Sequence, residues 1–426
     1  MRYSSLLLLV VCVPGCSTPA RLAGTTVRTG AQLLLAHPEE LKGKRLALVA
    51  NHTSLVEGTH LVDTLLVMGH TIQRVFAPEH GFRGGEEAGA QVQDARDRKT
   101  HLPIVSLYGK QLRPTRQQLQ DVDLVVFDIQ DVGCRFYTYL STLVYVMDAC
   151  AEYGVPLLVL DRPNPNGHWV GGPGMEAAHT SFVGVHPGVP MVHGMTLAEY
   201  ARLVNGEGWL PHGRCILSVV ACDGYTHRMR WQQTGLPWVP PSPNLPTPTA
   251  AELYPILCWY EGTVVSVGRG TDRPFQQIGM PGHRALLKRA MEDSLNGTRN
   301  AMQFMGLQAY ATYFTPVSQP GRAAHPPYEG QRCYGLRIDT VSVSGDSLMQ
   351  AGLKMLVNFY QEYEAWRKQQ GLATPFFTPF FENLVGSSSL RRALIQGDTP
   401  EAIGLSWQKE LRRFENLRRR YLLYAA

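Results

Sequence analysis

The segment Phe76-Ala77-Pro78-Glu79-His80-Gly81-Phe82-Arg83-Gly84 shows how this chain is organised. Its short apolar run predicts a buried β-strand. The proline and glycine that follow predict a sharp turn, because proline donates no ladder hydrogen bond and glycine tolerates positive φ. Glu79 and His80 then lie at the carboxyl end of the strand, which is where ligands bind in open α/β sheets.

Strands and helices alternate on both sides of this segment, from Lys44 to Asp223. Near-continuous apolar runs predict strands, and amphipathic runs with threonine before them or glycine after them predict helices. The predicted strands are 45–51, 75–77, 104–108, 123–128, 157–161 and 215–220, and the predicted helices are 60–68, 115–119, 142–153 and 196–204. This alternation is typical of a parallel sheet with helices on both faces. The fold class is therefore α/β, with a Rossmann-like domain over residues 26–245.

The composition changes after the proline-rich segment Trp238–Pro248. Residues 246–426 form the second, smaller domain of the prediction. Their first part is rich in glycine and polar residues, and helices are predicted at 346–368, 388–396 and 406–424.

The first 15 residues predict a signal peptide, since their apolar run is too short to span a bilayer. Gly15 directly before Cys16 resembles a bacterial lipoprotein signal. We therefore expect lipidation of Cys16, a membrane contact only through that anchor, and an exported protein on the periplasmic side of the outer membrane. Plain secretion is the alternative.

Composition excludes several classes of function. The net charge of +5 is too mild and too evenly spread for nucleic-acid binding. The six cysteines after Cys16 form no CxxC pair, so they predict buried apolar side chains rather than a zinc site. No GxGxxG follows the first strand, and no GxxxxGK[ST] occurs. We predict no cofactor and no metal, and nothing in the sequence indicates an obligate protein partner.

Polar residues collect where four predicted strands end: at Asn51, at Glu79-His80, in 128–139 and in 161–167. The carboxyl ends of parallel strands meet at one edge of the sheet, so these four groups predict the floor of a cleft.

Six motifs give the chain a family resemblance. In order they are PEHGFRG (78–84), FDIQDVGCRFYTY (127–139), DRPNPNG (161–167), VHGMTLAEYA (192–201), PPSPNLPT (240–247) and EGTVVSVGRGTDRPFQ (261–276). They closely resemble the exo-β-N-acetylmuramidase family of peptidoglycan hydrolases. The resemblance implies a Rossmann-like domain, a smaller α+β C-terminal domain and an active site in the cleft between them. It also implies release of N-acetylmuramic acid from the non-reducing end of cell-wall fragments.

Glycosidic cleavage normally needs an acid and a second group that acts as base or nucleophile. Glu79 is the first choice for the acid, with His80 orienting it or holding the sugar. Asp131 ranks first for the second group. Three other carboxylates stay open as alternatives, namely Asp128, Glu176 and Glu261. The 2-acetamido group of the substrate itself is a further alternative.

Muramic acid carries a lactyl carboxylate, for which arginine is the suitable partner. Arg135, Arg269 and Arg83 are the candidates, in that order. The other predicted substrate contacts are Asn51, Tyr137, His193, Asn244 and Glu261.

Two other hypotheses about the function are alternatives to a glycosidase. One is a sugar-binding lipoprotein without catalytic activity, which would form no product. The other is a nucleotide- or metal-dependent hydrolase, which the missing phosphate loop and metal-ligand set disfavour.

Overall fold

The structure is a computed structural model that describes residues 26–84, 94–282, 302–304, 307–341 and 343–425. The predicted signal peptide and Cys16 lie outside these residues. No helix in the described part of the chain has both the length and the apolar composition needed to cross a membrane.

The first domain is built on a seven-stranded sheet. Its strands and those of two small hairpins are, in chain order, β1 (Arg45–Ala50), β2 (Leu55–Val56), β3 (Thr59–His60), β4 (Thr71–Ala77), β5 (Ala95–Arg96), β6 (Pro103–Ser106), β7 (Leu124–Asp128), β8 (Leu157–Leu160), β9 (Gly171–Gly174), β10 (Pro190–Val192) and β11 (Leu217–Val220). The sheet order is β11-β8-β7-β1-β4-β6-β5, and every pair is parallel except β5 with β6. The predicted Rossmann-like α/β domain is confirmed.

Helices connect these strands, and their ends follow the sequence signals. They are α1 (Gly30–Ala36), α2 (Leu61–Val67), α3 (Arg116–Leu119), α4 (Thr138–Tyr153) and α5 (Leu197–Glu207), with 3₁₀ turns at Pro38–Leu41, Ala177–His179 and Trp231–Gln233. Thr196 caps α5 in a capping box, and Gly154 ends α4 in the left-handed conformation. The predicted start of α4 was four residues too late, because Tyr137 is its N-cap.

The second domain holds a four-stranded antiparallel sheet of order β12-β15-β14-β13. Its elements are α6 (Pro248–Leu257), the 3₁₀ helix Cys258–Gly262, β12 (Gln277–Met280), β13 (Met302–Phe304), β14 (Leu307–Phe314), β15 (Cys333–Val341), α7 (Gly345–Gln370), α8 (Phe381–Val385), α9 (Ser389–Gln396), α10 (Pro400–Ser406) and α11 (Gln408–Arg418). The predicted helix 406–424 is wrong at both ends. The helix is interrupted at Trp407, and after Arg418 the chain is no longer helical and reaches the first domain.

One hydrophobic cluster extends through both domains, and a second lies within the first domain. A single cluster of buried side chains runs from β1 and β7, through α4, to α6, α7 and α11. The carboxyl edge of the parallel sheet faces the second domain, so that the strand ends of the first domain meet loops of the second.

Candidate active site

A cavity of about 560 Å³ lies between the two domains. The first domain supplies Glu79, His80 and Tyr137 to its wall, and the second supplies Glu261 and Arg269. The fold therefore brings together five of the predicted site residues, from positions up to 190 apart in the sequence.

The turn after β4 presents Glu79 to this cavity. Thr138 Oγ1 donates a hydrogen bond of 2.6 Å to Glu79 Oε2, and the Tyr108 hydroxyl donates to the same carboxylate. His80 has φ of 71°, which is uncommon for a residue with a side chain and marks a turn that the surrounding structure holds in place. Glu79 is thus oriented by hydroxyl groups from two neighbouring segments.

Glu261 is the other acidic residue on the described wall of the cavity. Its Oε1 pairs with Arg269 Nε at 2.5 Å. Burial lowers the pKa of Arg269, but Glu261 more than offsets this, and the pKa lies above its usual range. The Arg269 guanidinium also lies 5.2 Å from the centroid of the Phe275 ring.

Aromatic rings connect the two carboxylates along the wall. Tyr137 packs edge-on against Tyr139 at 4.9 Å and against Tyr254 at 5.8 Å, and Tyr254 packs against Phe275 at 4.9 Å. Rings with this arrangement give a cavity an apolar wall of the kind that contacts sugar faces.

Asp131 does not line the cavity. It is buried, Gly133 N donates a hydrogen bond of 2.6 Å to its Oδ2, and no described residue donates a hydrogen bond to its Oδ1. Burial raises the pKa of Asp131 to about 7, although the Gly133 and Val132 amides partly oppose this. The structure therefore places the carboxylate that ranked first for the second catalytic group out of contact with a substrate in this cavity.

The other predicted carboxylates also lie outside the cavity wall. Asp128 forms a bidentate ion pair with Arg162, and Glu176 accepts hydrogen bonds from the hydroxyls of Ser387 and Ser388.

Arg135 and Arg83, two of the predicted carboxylate-binding arginines, are occupied elsewhere. The buried Arg135 guanidinium donates to the main-chain oxygens of Pro173, Val189, Leu384 and Val385. Arg83 forms ion pairs with Asp63 and Asp97. Of the three predicted arginines, the structure places Arg269 in the cavity.

The three remaining predicted contacts are not among the residues that line the cavity. His193 is fully buried, accepts a hydrogen bond from Met195 N, and has a pKa lowered to about 3 by burial. Asn51 is buried and accepts from Thr53. Asn244 donates a 2.7 Å hydrogen bond to the main-chain oxygen of Arg322.

Sequence reasoning missed several residues of the cavity. Tyr108 follows β6 at the same edge of the sheet, so the strand-end argument was sufficient to find it. Arg322 and His325 lie in a loop of the second domain whose sequence has no strand or helix period. In the described ranges, no group of three or more His, Cys, Asp and Glu residues is arranged to hold a metal ion.

Comparison with known proteins assigns the family. The model of the N-terminal domain of the exo-beta-N-acetylmuramidase NamZ matches residues 46–249, and the model of its C-terminal domain matches residues 252–424. The chain belongs to this family. The predicted membership is confirmed, as is the predicted enzyme class, a glycoside hydrolase.

Individual relatives cover nearly the whole chain. The peptidoglycan beta-N-acetylmuramidase NamZ of Bacillus subtilis (strain 168) is 35% identical over 404 residues, which are 93% of this chain and 91% of the relative. Two crystal structures of DUF1343 family proteins from Bacteroides fragilis NCTC 9343 have TM-scores of 0.77 and 0.79, at 39% and 29% identity. Each comparison covers 94% of this chain and 99% of the other.

Proposed function

We propose that this NamZ family member is an exo-β-N-acetylmuramidase that releases N-acetylmuramic acid from the non-reducing end of peptidoglycan fragments. The observation that carries this proposal is the interdomain cavity with two carboxylates, Glu79 and Glu261, on its described wall. Two carboxylic groups flanking one sugar are what most glycoside hydrolases require. The name of the Bacillus subtilis relative supports the choice of substrate.

Glu79 is the proposed general acid. Its proton passes to the glycosidic oxygen as the bond from that oxygen to the anomeric carbon breaks, and the leaving saccharide departs as an alcohol. A water molecule adds its hydroxyl group to the anomeric carbon, which gives free N-acetylmuramic acid, and the proton of that water restores the protonation of the carboxyl pair. The hydroxyls of Thr138 and Tyr108 fix the orientation of the carboxyl group for this transfer.

Glu261 is the proposed second carboxylate, in place of Asp131. It faces the cavity, and its pairing with Arg269 fixes its orientation. Positive charge develops at the anomeric carbon in the transition state, and a carboxylate stabilises that charge.

The test uses residues 17–426 and chromogenic β-glycosides of N-acetylmuramic acid and N-acetylglucosamine. We expect release from the muramic substrate, with kcat/KM lowered about 10³-fold in Glu79→Gln and in Glu261→Gln. Asp131→Asn is the matched buried control and keeps most of the activity. Binding of the muramic sugar without any release would instead support the sugar-binding lipoprotein.

We also propose that the protein is exported and lipidated on Cys16, which anchors it at the outer membrane near its substrate. The sequence around Gly15-Cys16 supports this. Cells that express the full chain, grown with labelled palmitate, should yield labelled protein, and Cys16→Ser should remove the label. An unlabelled protein recovered in the soluble periplasmic fraction would contradict the anchor.

A further inference from the structure

One arginine of the cavity wall has no ion-pair partner among the described residues. Four basic side chains line the wall: His80, Arg269, Arg322 and His325. Arg269 is paired with Glu261. In the part of the chain that the structure describes, no carboxylate pairs with the Arg322 guanidinium and no group accepts a hydrogen bond from it, while its Nε is buried.

The main chain holds Arg322 in a fixed position. Gln319 N donates to Ala323 O at 2.9 Å and Ala323 N donates to Gln319 O at 2.7 Å, which closes a tight turn around Arg322. From the first domain, Asn244 Nδ2 donates a 2.7 Å hydrogen bond to Arg322 O. Both domains therefore fix the main chain of the turn, so a ligand that binds Arg322 has to order only the side chain of this residue.

The surroundings of the Arg322 guanidinium favour an anionic ligand. Partial burial without an acceptor costs free energy, which a carboxylate recovers through charge-assisted hydrogen bonds. Burial lowers the pKa of Arg322, and the charge of Asp272 opposes this only in part. At Arg269, by contrast, an anion would meet the negative charge of Glu261.

We propose that Arg322 binds the lactyl carboxylate of the terminal N-acetylmuramic acid and thereby selects muramic acid over N-acetylglucosamine. This inference rests on the proposed function. The two sugars differ in the lactyl ether alone, so a contact with its carboxylate distinguishes them by charge. Arg322 acts in this as a residue that determines specificity, and the bond-breaking step belongs to the two glutamates.

The test compares the chromogenic β-N-acetylmuramic acid glycoside with the same glycoside whose lactyl carboxylate is converted to the methylamide. In the wild type the acid should be the better substrate. Arg322→Gln should lower kcat/KM on the acid about 30–100-fold and on the amide less than about 3-fold. Arg322→Lys keeps the charge but not the planar fork, so its kcat/KM on the acid should lie between those of the wild type and Arg322→Gln.

Arg273→Gln is the matched control. This arginine lies outside the cavity, where it pairs with Asp339 at 3.0 Å, and its loss should leave the acid-to-amide ratio unchanged. Equal losses of Arg322→Gln on acid and amide would overturn the proposal.

Binding separates this inference from the proposed function. If the wild type cleaves neither glycoside, calorimetry with free N-acetylmuramic acid and its methylamide still tests Arg322. Tighter binding of the acid, lost in Arg322→Gln, supports the role of Arg322 although the enzyme assignment has failed. Equal binding of acid and amide, or binding of neither, overturns it.

Discussion

At the scale of single residues, Arg135 has the most unusual surroundings. The whole residue is 1% exposed, and in the described ranges no carboxylate forms an ion pair with its guanidinium. Its partners are main-chain oxygens: Pro173 and Val189 in the first domain and Leu384 and Val385 in α8 of the second. Burial lowers the pKa of Arg135 to about 9. This side chain joins the domains at the segment that carries Leu384 into the cavity wall.

Arg135→Met keeps much of the side-chain volume and removes a donor from four carbonyl oxygens, of which Val189 O keeps the hydrogen bond from Met175 N. We expect a loss of about 3 kcal/mol or more in the free energy of unfolding, because unsatisfied buried polar groups are costly. Urea unfolding measures this, with the exposed Arg419→Met as control, expected to change stability by less than about 0.5 kcal/mol. A folded variant of normal stability that has lost only its preference for muramic acid would return Arg135 to the carboxylate-binding role.

Ionisation of the buried Asp131 makes the free energy of unfolding depend on pH. Its pKa is raised by burial from 3.8 to about 7 in the folded protein. Between these values the folded chain keeps a proton that the unfolded chain has lost, so the contribution of Asp131 to stability falls as pH rises from about 4 to about 7. Above that range its contribution is constant.

Asp131→Asn should therefore be more stable than the wild type at pH 8, by roughly 1–4 kcal/mol, and close to it at pH 4. The amide retains an acceptor for Gly133 N and cannot ionise. Denaturation midpoints across this range test it. Glu252, whose pKa is also raised to about 7, is present in both proteins and cancels in the difference. A difference that does not vary with pH would show that Asp131 is ionised in the folded state.

At the scale of elements, the C-terminal segment after α11 holds the first domain together. Tyr424 donates a 2.5 Å hydrogen bond to the buried Asp161, and Leu423 N donates a 2.8 Å hydrogen bond to the buried Glu199. His227 bonds the same Glu199 at 2.9 Å. Two carboxylates of the Rossmann-like domain thus find partners at the last residues of the chain, which explains why the helix predicted for 406–424 stops early.

Tyr424→Phe tests this segment. Loss of a donor to a buried carboxylate should lower the free energy of unfolding by about 1–3 kcal/mol. Tyr421→Phe is the matched control: its hydroxyl bonds the more accessible Glu207, and its removal should cost about 0.5 kcal/mol or less. Equal effects in thermal melts of the two variants would contradict the role given to Tyr424.

At the scale of the whole molecule, the two domains should unfold as one. Domains of a single chain usually move and unfold separately unless a large apolar interface joins them. Here one buried cluster extends through both, and the chain end returns to the first domain. Calorimetry should show a single transition whose calorimetric and van't Hoff enthalpies agree. Two separable calorimetric transitions, one for the residues before about 250 and one for those after it, would refute this coupling.

Three residues predicted from their position at strand ends line the candidate cavity. Glu79, His80 and Tyr137 follow strands of the parallel sheet, and the structure places them on one cavity wall. The family motif 261–276 added Glu261 and Arg269. Asp131, Arg135 and His193 also follow strands but are buried and are not among the residues that line the cavity. A polar residue after a strand can point into the cavity or into the core, and no sequence period distinguishes the two directions.

The sequence by itself determined the α/β class, the order of the main elements and the family, since hydrophobic period, turn residues and ordered motifs are local properties of the chain. Tertiary structure decided which charges meet. Arg135 lies against carbonyls 249 and 250 residues away, and Arg322 lies in a cavity whose other wall comes from the first domain. Contacts of this kind depend on how distant segments pack against each other. That packing sets both the burial of a side chain and its hydrogen-bond partners, and no local sequence pattern encodes it.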